Sequence, residues 1–171
     1  MQVAARSGES LTFHESRSSS LFTEPVVFTG RLTVSEDGRS LTKWIDSPEP
    51  SRMTLTERDI EVQNAEGRVR RISLRQRPEL SAFVSSMLSL MRGDPDSLSE
   101  VFKVDYTEQA EDFWELNLTP LERRVSGRVS QLRIIGQGGQ LLALETVMAD
   151  GATQRMDIIN CPPGKMKQAD G

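Results

Sequence analysis

Apolar positions recur at helical spacing across residues 78–102 (PELSAFVSSMLSLMRGDPDSLSEVF) more regularly than anywhere else in the chain. At ~100° per residue, Leu80, Phe83, Val84, Met87, Leu88 and Met91 form one stripe, and Leu90 widens one edge of it. The positions opposite are Ser81, Ser85, Ser86 and Ser89, and none carries a charge. Surface helices usually place Lys and Glu there, so the pattern predicts a helix that packs on a second surface or moves between packed and less packed positions. An ordinary core helix with a serine-rich back meets the same periodicity. Arg92 and Gly93 suit its C-terminus, and Asp94-Pro95 can start a second short helix with Leu98, Val101 and Phe102 on one side.

Period-two alternation dominates on both sides of this helix. Residues 11–17 (LTFHESR) set Leu11, Phe13 and Glu15 on one face, and residues 26–34 (VVFTGRLTV) align Val26, Phe28, Gly30, Leu32 and Val34. Gly30, in the middle of that strand, marks a bend, a bulge or the close approach of another group. Glu36-Asp37-Gly38 supplies turn chemistry before a return strand at 41–45. Short strands follow at MTLT, DIEVQ and RVRRISLR, with Pro48 and Pro50 breaking the chain before them. After the helices, residues 103–108, 113–118, 129–135, 141–148 and 153–159 alternate again. Thr119-Pro120 reads as an N-cap followed by Pro at the first helical position, giving a helical turn or a linker over 121–126. Gly136-Gln-Gly-Gly and Asp150-Gly151 read as hairpin joints. The sum is about ten strands with two or three inserted helices, an α+β chain whose antiparallel sheet curls toward a barrel or half-barrel.

Composition narrows the function. A chain of 171 residues fits one domain: residues 11–160, with a flexible lead at 1–10 and a flexible tail at 161–171. The net charge of −4 argues against a generic nucleic-acid binder. Arg68, Arg70, Arg71, Arg75 and Arg77 form a local basic run, which strand alternation divides between two faces as solvated charge. One cysteine, Cys161, excludes an intrachain disulfide, and one histidine, His14, excludes a site needing two imidazoles; neither is assigned a role. The glycines of IIGQGGQ lack the Lys-Ser/Thr of a phosphate loop and lie between strand patterns. The acidic groups Glu108, Glu111 and Asp112, and Asp94 with Asp96, fall at turns without calcium-loop spacing. No serine stands out as a nucleophile with a base, so no catalytic, metal or cofactor site is expected.

No run of ~18 apolar residues is present to span a membrane, and MQVAARSGES lacks the apolar core of an export signal. Read literally, this places the chain in the cytoplasm; the alternative is a chain whose signal has been removed.

What remains is apolar surface under the helix. If helix and sheet pack tightly, it is only a core. If they enclose a void, its lining is Val26, Phe28, Leu32, Met53, Leu55, Phe83, Met87, Leu88, Met91, Trp114, Leu116 and Leu118, and it suits acyl chains. The thioethers of Met53, Met87 and Met91 adapt to variable shapes and fill irregular cores equally well.

An ordered series of residues carries a family resemblance: Phe13-x-Glu15-x-Arg17, Leu21 with Pro25, Gly30-x-Leu32, Gly93-Asp94 with the stretch 98–102, Trp114-x-Leu116-x-Leu118-x-Pro120, Gly136, Glu145 and Asp150-Gly151. Over residues 11–159 the chain resembles the bacterial outer-membrane lipoprotein carrier superfamily, in its LolA-like branch. The resemblance implies an unclosed β-barrel under a helical lid. It also implies a non-enzymatic, monomeric periplasmic carrier of lipoprotein acyl chains or another envelope lipid, passing cargo from an inner-membrane exporter to an outer-membrane acceptor. The arginine beside a proline that latches the lid in the founding carrier has no counterpart in Trp44-Ile-Asp-Ser-Pro48, so that latch does not transfer. Two readings from other classes stand beside it: an envelope scaffold domain with a fully packed core that binds a protein along a sheet edge, and a hydrolase acting on a lipid-like substrate.

Overall fold

Two meanders of alternating strands, one on each side of the helix, join into a single antiparallel sheet of eleven strands. The computed structural model describes residues 10–159, the side chain of Glu79 apart. The expected lead, except for Ser10, and the tail with Cys161 lie outside the described residues. The first meander runs through β1 (Ser10–Ser18), β2 (Val26–Val34), β3 (Ser40–Ser47), β4 (Ser51–Thr56), β5 (Asp59–Gln63) and β6 (Val69–Ser73). Helix α1 (Pro78–Met91) and a 3₁₀ turn (Asp96–Glu100) follow. The second meander comprises β7 (Phe102–Glu108), β8 (Phe113–Pro120), β9 (Val129–Gln137), β10 (Gln140–Met148) and β11 (Thr153–Ile159), with a one-turn helix α2 (Arg123–Ser126) between β8 and β9.

Strands consecutive in sequence pair with one another, β6 and β7 apart, and at a seam in the middle β1 pairs with β11, with Phe13 opposite Ile158. The sheet is not closed: β6 and β7 are its free edges, and the segment carrying α1 leads from one edge to the other. This is the α+β chain that the alternation predicts and the unclosed barrel under a helical lid that the resemblance implies, with eleven strands rather than about ten. Gly30 serves two of its expected purposes. The β2–β3 register shifts between Thr29 and Gly30, and a Cβ at Gly30 would overlap the Trp44 carbonyl oxygen.

One local expectation changes. Pro120 does not open a helix. It is the last residue of β8, paired with Phe102, and α2 begins only at Arg123 after an uncapped Glu122. Pairing with the edge strand β7 continues the sheet past the Thr-Pro signal, and Pro120 is tolerated because it closes the strand rather than interrupting it. The serine back of α1 is packed, as its lack of charge allowed. Ser86 and Ser89 are buried, Ser86 Oγ donates to the Ala82 carbonyl at 2.8 Å, and the 3₁₀ turn packs against the helix. Serine fits there because it returns its hydroxyl to the preceding turn and needs no external partner. Packing of this face on a second surface, which its uncharged pattern allowed, is what the structure shows.

The opposite, convex face of the sheet is charged. Glu145 on β10 pairs with Arg133 on β9 and Arg155 on β11, and Arg133 reaches Glu115 on β8 at 3.8 Å. Most buried apolar strand residues lie on the other, concave side that α1 covers, whereas Trp44, between Arg31 and Arg52, and Val147, beside Arg133 and Glu145, stay on the charged face.

Candidate functional site

Strand alternation delivers the concave face, and the register shows how its residues line up. Glu15 lies opposite Phe28 and Met156, Leu32 opposite Lys43, Lys43 opposite Met53, and Met53 opposite Val62. Helix α1 crosses this face and buries two sides of its stripe. Leu88 and Val84 form a buried cluster with Leu74, packed by Leu55 and Ile60. Leu90 joins Phe102, Trp114, Leu116, Leu118, Leu132 and Ile134, with Phe83 and Met87 packed against them. The ring of Phe83 meets that of Phe102 edge-on at 5.8 Å, a favoured aromatic geometry.

The twelve residues expected to line a cavity fall on the concave face or on α1, but in separate groups. Trp114, Leu116, Leu118, Phe83 and Met87 meet in the second meander, and Leu55 meets Leu88 in the first. Leu32 and Phe28 belong to a cluster around Phe13 at the seam. Val26, Met53 and Met91 are half-buried. Trp114 is fixed by its indole N–H, which donates to the Gly138 carbonyl at 2.8 Å, and by Gly136, where any Cβ would overlap the indole ring.

Charged groups enter this apolar floor where alternation alone suggested only a half-buried strand. Glu15 is 2% exposed and Lys43 8%. Their side chains form an ion pair, and Arg17 Nε reaches the other Glu15 oxygen at 2.5 Å. The Lys43 ammonium sits 5.0 Å from the centre of the Phe13 ring, and the Arg17 guanidinium 4.2 Å from that of Phe28. Burial holds the Lys43 pKa below its usual value, and the Glu15 carboxylate opposes that shift. The signal was present in sequence: Leu41, Lys43 and Ile45 share a face, as do Phe13, Glu15 and Arg17.

At its C-terminal end α1 is tied to two turns of the first meander. Arg92 Nη1 donates to the Gly38 carbonyl at 3.2 Å and lies 3.7 Å from the Glu57 carboxylate, while Nη2 donates to Ser89 Oγ at 2.8 Å. The stem of Arg92 occupies the space that a Cβ at Gly38 would take. At the other end of α1 a cavity of ≈ 100 Å³ opens between α1 and α2, lined by Arg77, Leu80, Phe83, Arg124, Val125, Arg128 and Val129. Of these, Phe83 alone was among the twelve residues expected to line a cavity. Elsewhere the basic run is solvated as expected, with Arg71 on Glu61 at 2.6 Å and Arg68 on Glu66 at 3.2 Å.

Comparison with known proteins matches residues 1–161 to a family described as outer membrane lipoprotein carrier protein LolA-like. Among solved structures the chain is similar to a LolA superfamily protein from Nitrosomonas europaea, at 11% identity and a TM-score of 0.45, over 92% of this chain and 87% of that one. It is also similar to a candidate outer membrane lipoprotein-sorting protein domain from Vibrio parahaemolyticus, at 14% identity and a TM-score of 0.42, over 91% and 86% of the two chains. A conserved protein from Thermus thermophilus aligns at 8% identity and a TM-score of 0.46, over 97% and 87%. No curated protein matches the chain.

Proposed function

The chain belongs to the LolA-like outer membrane lipoprotein carrier family, and from that premise we propose that it is a non-enzymatic carrier of acyl chains. In this reading cargo sits between the concave face and α1, against Val26, Phe28, Leu32, Met53, Leu55, Phe83, Met87, Leu88, Met91, Trp114, Leu116 and Leu118. It works in the periplasm as a monomer, loaded by an inner-membrane exporter and emptied by an outer-membrane acceptor. The observation that carries the proposal is the placement of α1. One helix covers the apolar face of an open sheet and is held at one end by Arg92, so its displacement uncovers the apolar clusters packed on its two flanks without breaking any strand pair. A ligand that cannot cross water unescorted needs such a surface, hidden when empty and reachable when loaded.

Lipid extracted from gently purified protein and identified by mass spectrometry tests the reading, together with displacement of a fluorescent fatty acid. Extractable lipid and saturable displacement are expected; neither appearing would sink it. Met87→Glu places a charge on the half-buried helix surface. It is expected to lower fatty-acid uptake at least ~10-fold while the strand signal in circular dichroism persists. Loss of the whole fold would mark Met87 as plain core.

A scaffold reading has one observation in its favour. Both free edges, β6 and β7, carry an exposed apolar side chain, Val69 and Tyr106, as a strand-adding partner would need. A stable protein complex formed by lipid-free chain supports that second reading.

A further inference from the structure

The cavity between α1 and α2 has a chemistry of its own. Its floor is apolar, from Leu80, Phe83, Val125 and Val129, and its rim is made by three exposed arginines, Arg77, Arg124 and Arg128. None of the described side chains that line it is acidic, although the chain as a whole carries a net charge of −4. Two stretches of chain converge to make the cavity: residues 77–83, from the residue preceding α1 into the helix, and residues 124–129, from α2 to the start of β9. A solvated basic face does not require an apolar floor, and an ordinary apolar pocket does not require three guanidinium groups. Together they complement a molecule with a negative head and a hydrocarbon tail. Guanidinium forks suit phosphate oxygens, which they meet with paired N–H donors.

We propose that this mouth binds the phosphate head group of an anionic single-chain amphiphile, with the first carbons of its chain on the apolar floor; the inference rests on the carrier reading and names its cargo class. Size supports the division of labour. An apolar cavity of ~150 Å³ takes a benzene ring, so ≈ 100 Å³ accommodates only the head-proximal carbons. The continuation is marked by Phe83, which lines the mouth and also packs against the clusters on both flanks of α1. The remainder of the chain follows Phe83 under the helix. The head is thus captured at the N-terminal end of α1, opposite the end that Arg92 fastens, before the tail displaces the helix.

Isothermal titration of the full chain with dodecyl phosphate, monolauroylglycerol and inorganic phosphate, each below any micelle concentration, tests this. Dodecyl phosphate is expected to bind roughly tenfold tighter than monolauroylglycerol, with the preference weakened by added salt. Inorganic phosphate alone is expected to compete poorly. In Arg77→Gln/Arg128→Gln the preference shrinks to about twofold or less, whereas the distant surface variant Arg68→Gln keeps it. If the double variant does not fold, Arg128→Lys decides: a reduced preference supports the site, and a preference equal to that of the parent overturns it. Equal binding of both amphiphiles by the parent chain overturns the head-group site but leaves the carrier reading intact. Binding of neither amphiphile refutes the carrier reading itself. Inorganic phosphate competing as well as dodecyl phosphate reassigns the mouth to free anions and overturns the amphiphile.

Discussion

Replacing Lys43 with methionine removes one charge from a floor that is otherwise apolar and leaves Glu15 behind. The Glu15 carboxylate is 2% exposed, so water does not compensate for the lost ammonium. Removing one partner of a buried pair costs ~3–5 kcal/mol. Here Arg17 still holds one carboxylate oxygen at 2.5 Å, which places the loss near the lower end, ~3 kcal/mol. Glu15→Leu leaves the Lys43 ammonium against the Phe13 ring with no anion beside it, and a similar ~3 kcal/mol is expected. The double variant Glu15→Leu/Lys43→Met buries neither charge. Its hydrocarbon meets Phe13, Leu32, Met53 and Met156, and its stability is expected within ~1 kcal/mol of the parent, or above it. The assay is urea unfolding of all four proteins, followed by circular dichroism and analysed as a double-mutant cycle. The single losses should fail to add by more than ~2 kcal/mol. If the double variant loses the sum of the two, the charges are not coupled and the pair is not what holds Lys43 in the floor.

Three further outcomes follow from the same geometry. Because burial lowers the Lys43 pKa in the folded chain, the unfolded chain binds more protons between that lowered value and the ordinary lysine range; stability should therefore rise with pH across that alkaline window in the parent relative to Lys43→Met, and a flat difference between their urea midpoints would contradict it. Arg92→Ala removes the side-chain contacts to Gly38, Ser89 and Glu57, and ~1 kcal/mol of lost tethering should speed amide exchange along α1 about fivefold while leaving β9 and β10 unchanged; equal acceleration throughout would mean the helix does not open separately. Gly30→Ala forces a methyl group into the Trp44 carbonyl and should cost ~3 kcal/mol in thermal unfolding, whereas the same change at Gly151, where no heavy atom lies within 4 Å, acts only through its positive φ of 89° and should cost ~1 kcal/mol.

Strand positions were legible because each strand alternates and each joint carries turn residues, so the two meanders and the helix between them followed from local pattern. The β1–β11 seam was not, since nothing in Leu11-x-Phe13 or Met156-x-Ile158 says that these particular strands meet. At Thr119-Pro120 a local capping signal lost to long-range pairing with Phe102. The apolar lining was readable as faces of strands, but its division into separate clusters depends on where α1 crosses, which periodicity does not encode. Glu15 and Lys43 were visible as charges on apolar faces, yet their pairing needs a register across β1, β2 and β3. The arginine mouth lay furthest from reach. Arg77 sits in a basic run that reads as solvated charge, and Arg124 and Arg128 are brought to it only by the fold.

The seam also makes the chain reorderable. Thr12 pairs with Ile159, so the beginning of β1 and the end of β11 lie side by side. A circular permutant joining residue 159 to residue 10 by a short linker, with new ends at Arg75-Gln76, would have every strand beside its sequence neighbour. The most distant pairing in the present chain would become a local hairpin, lowering contact order and favouring faster folding. That rearrangement frees α1 from the β6 edge without altering a side chain, so sheet and cover are separable by connectivity alone.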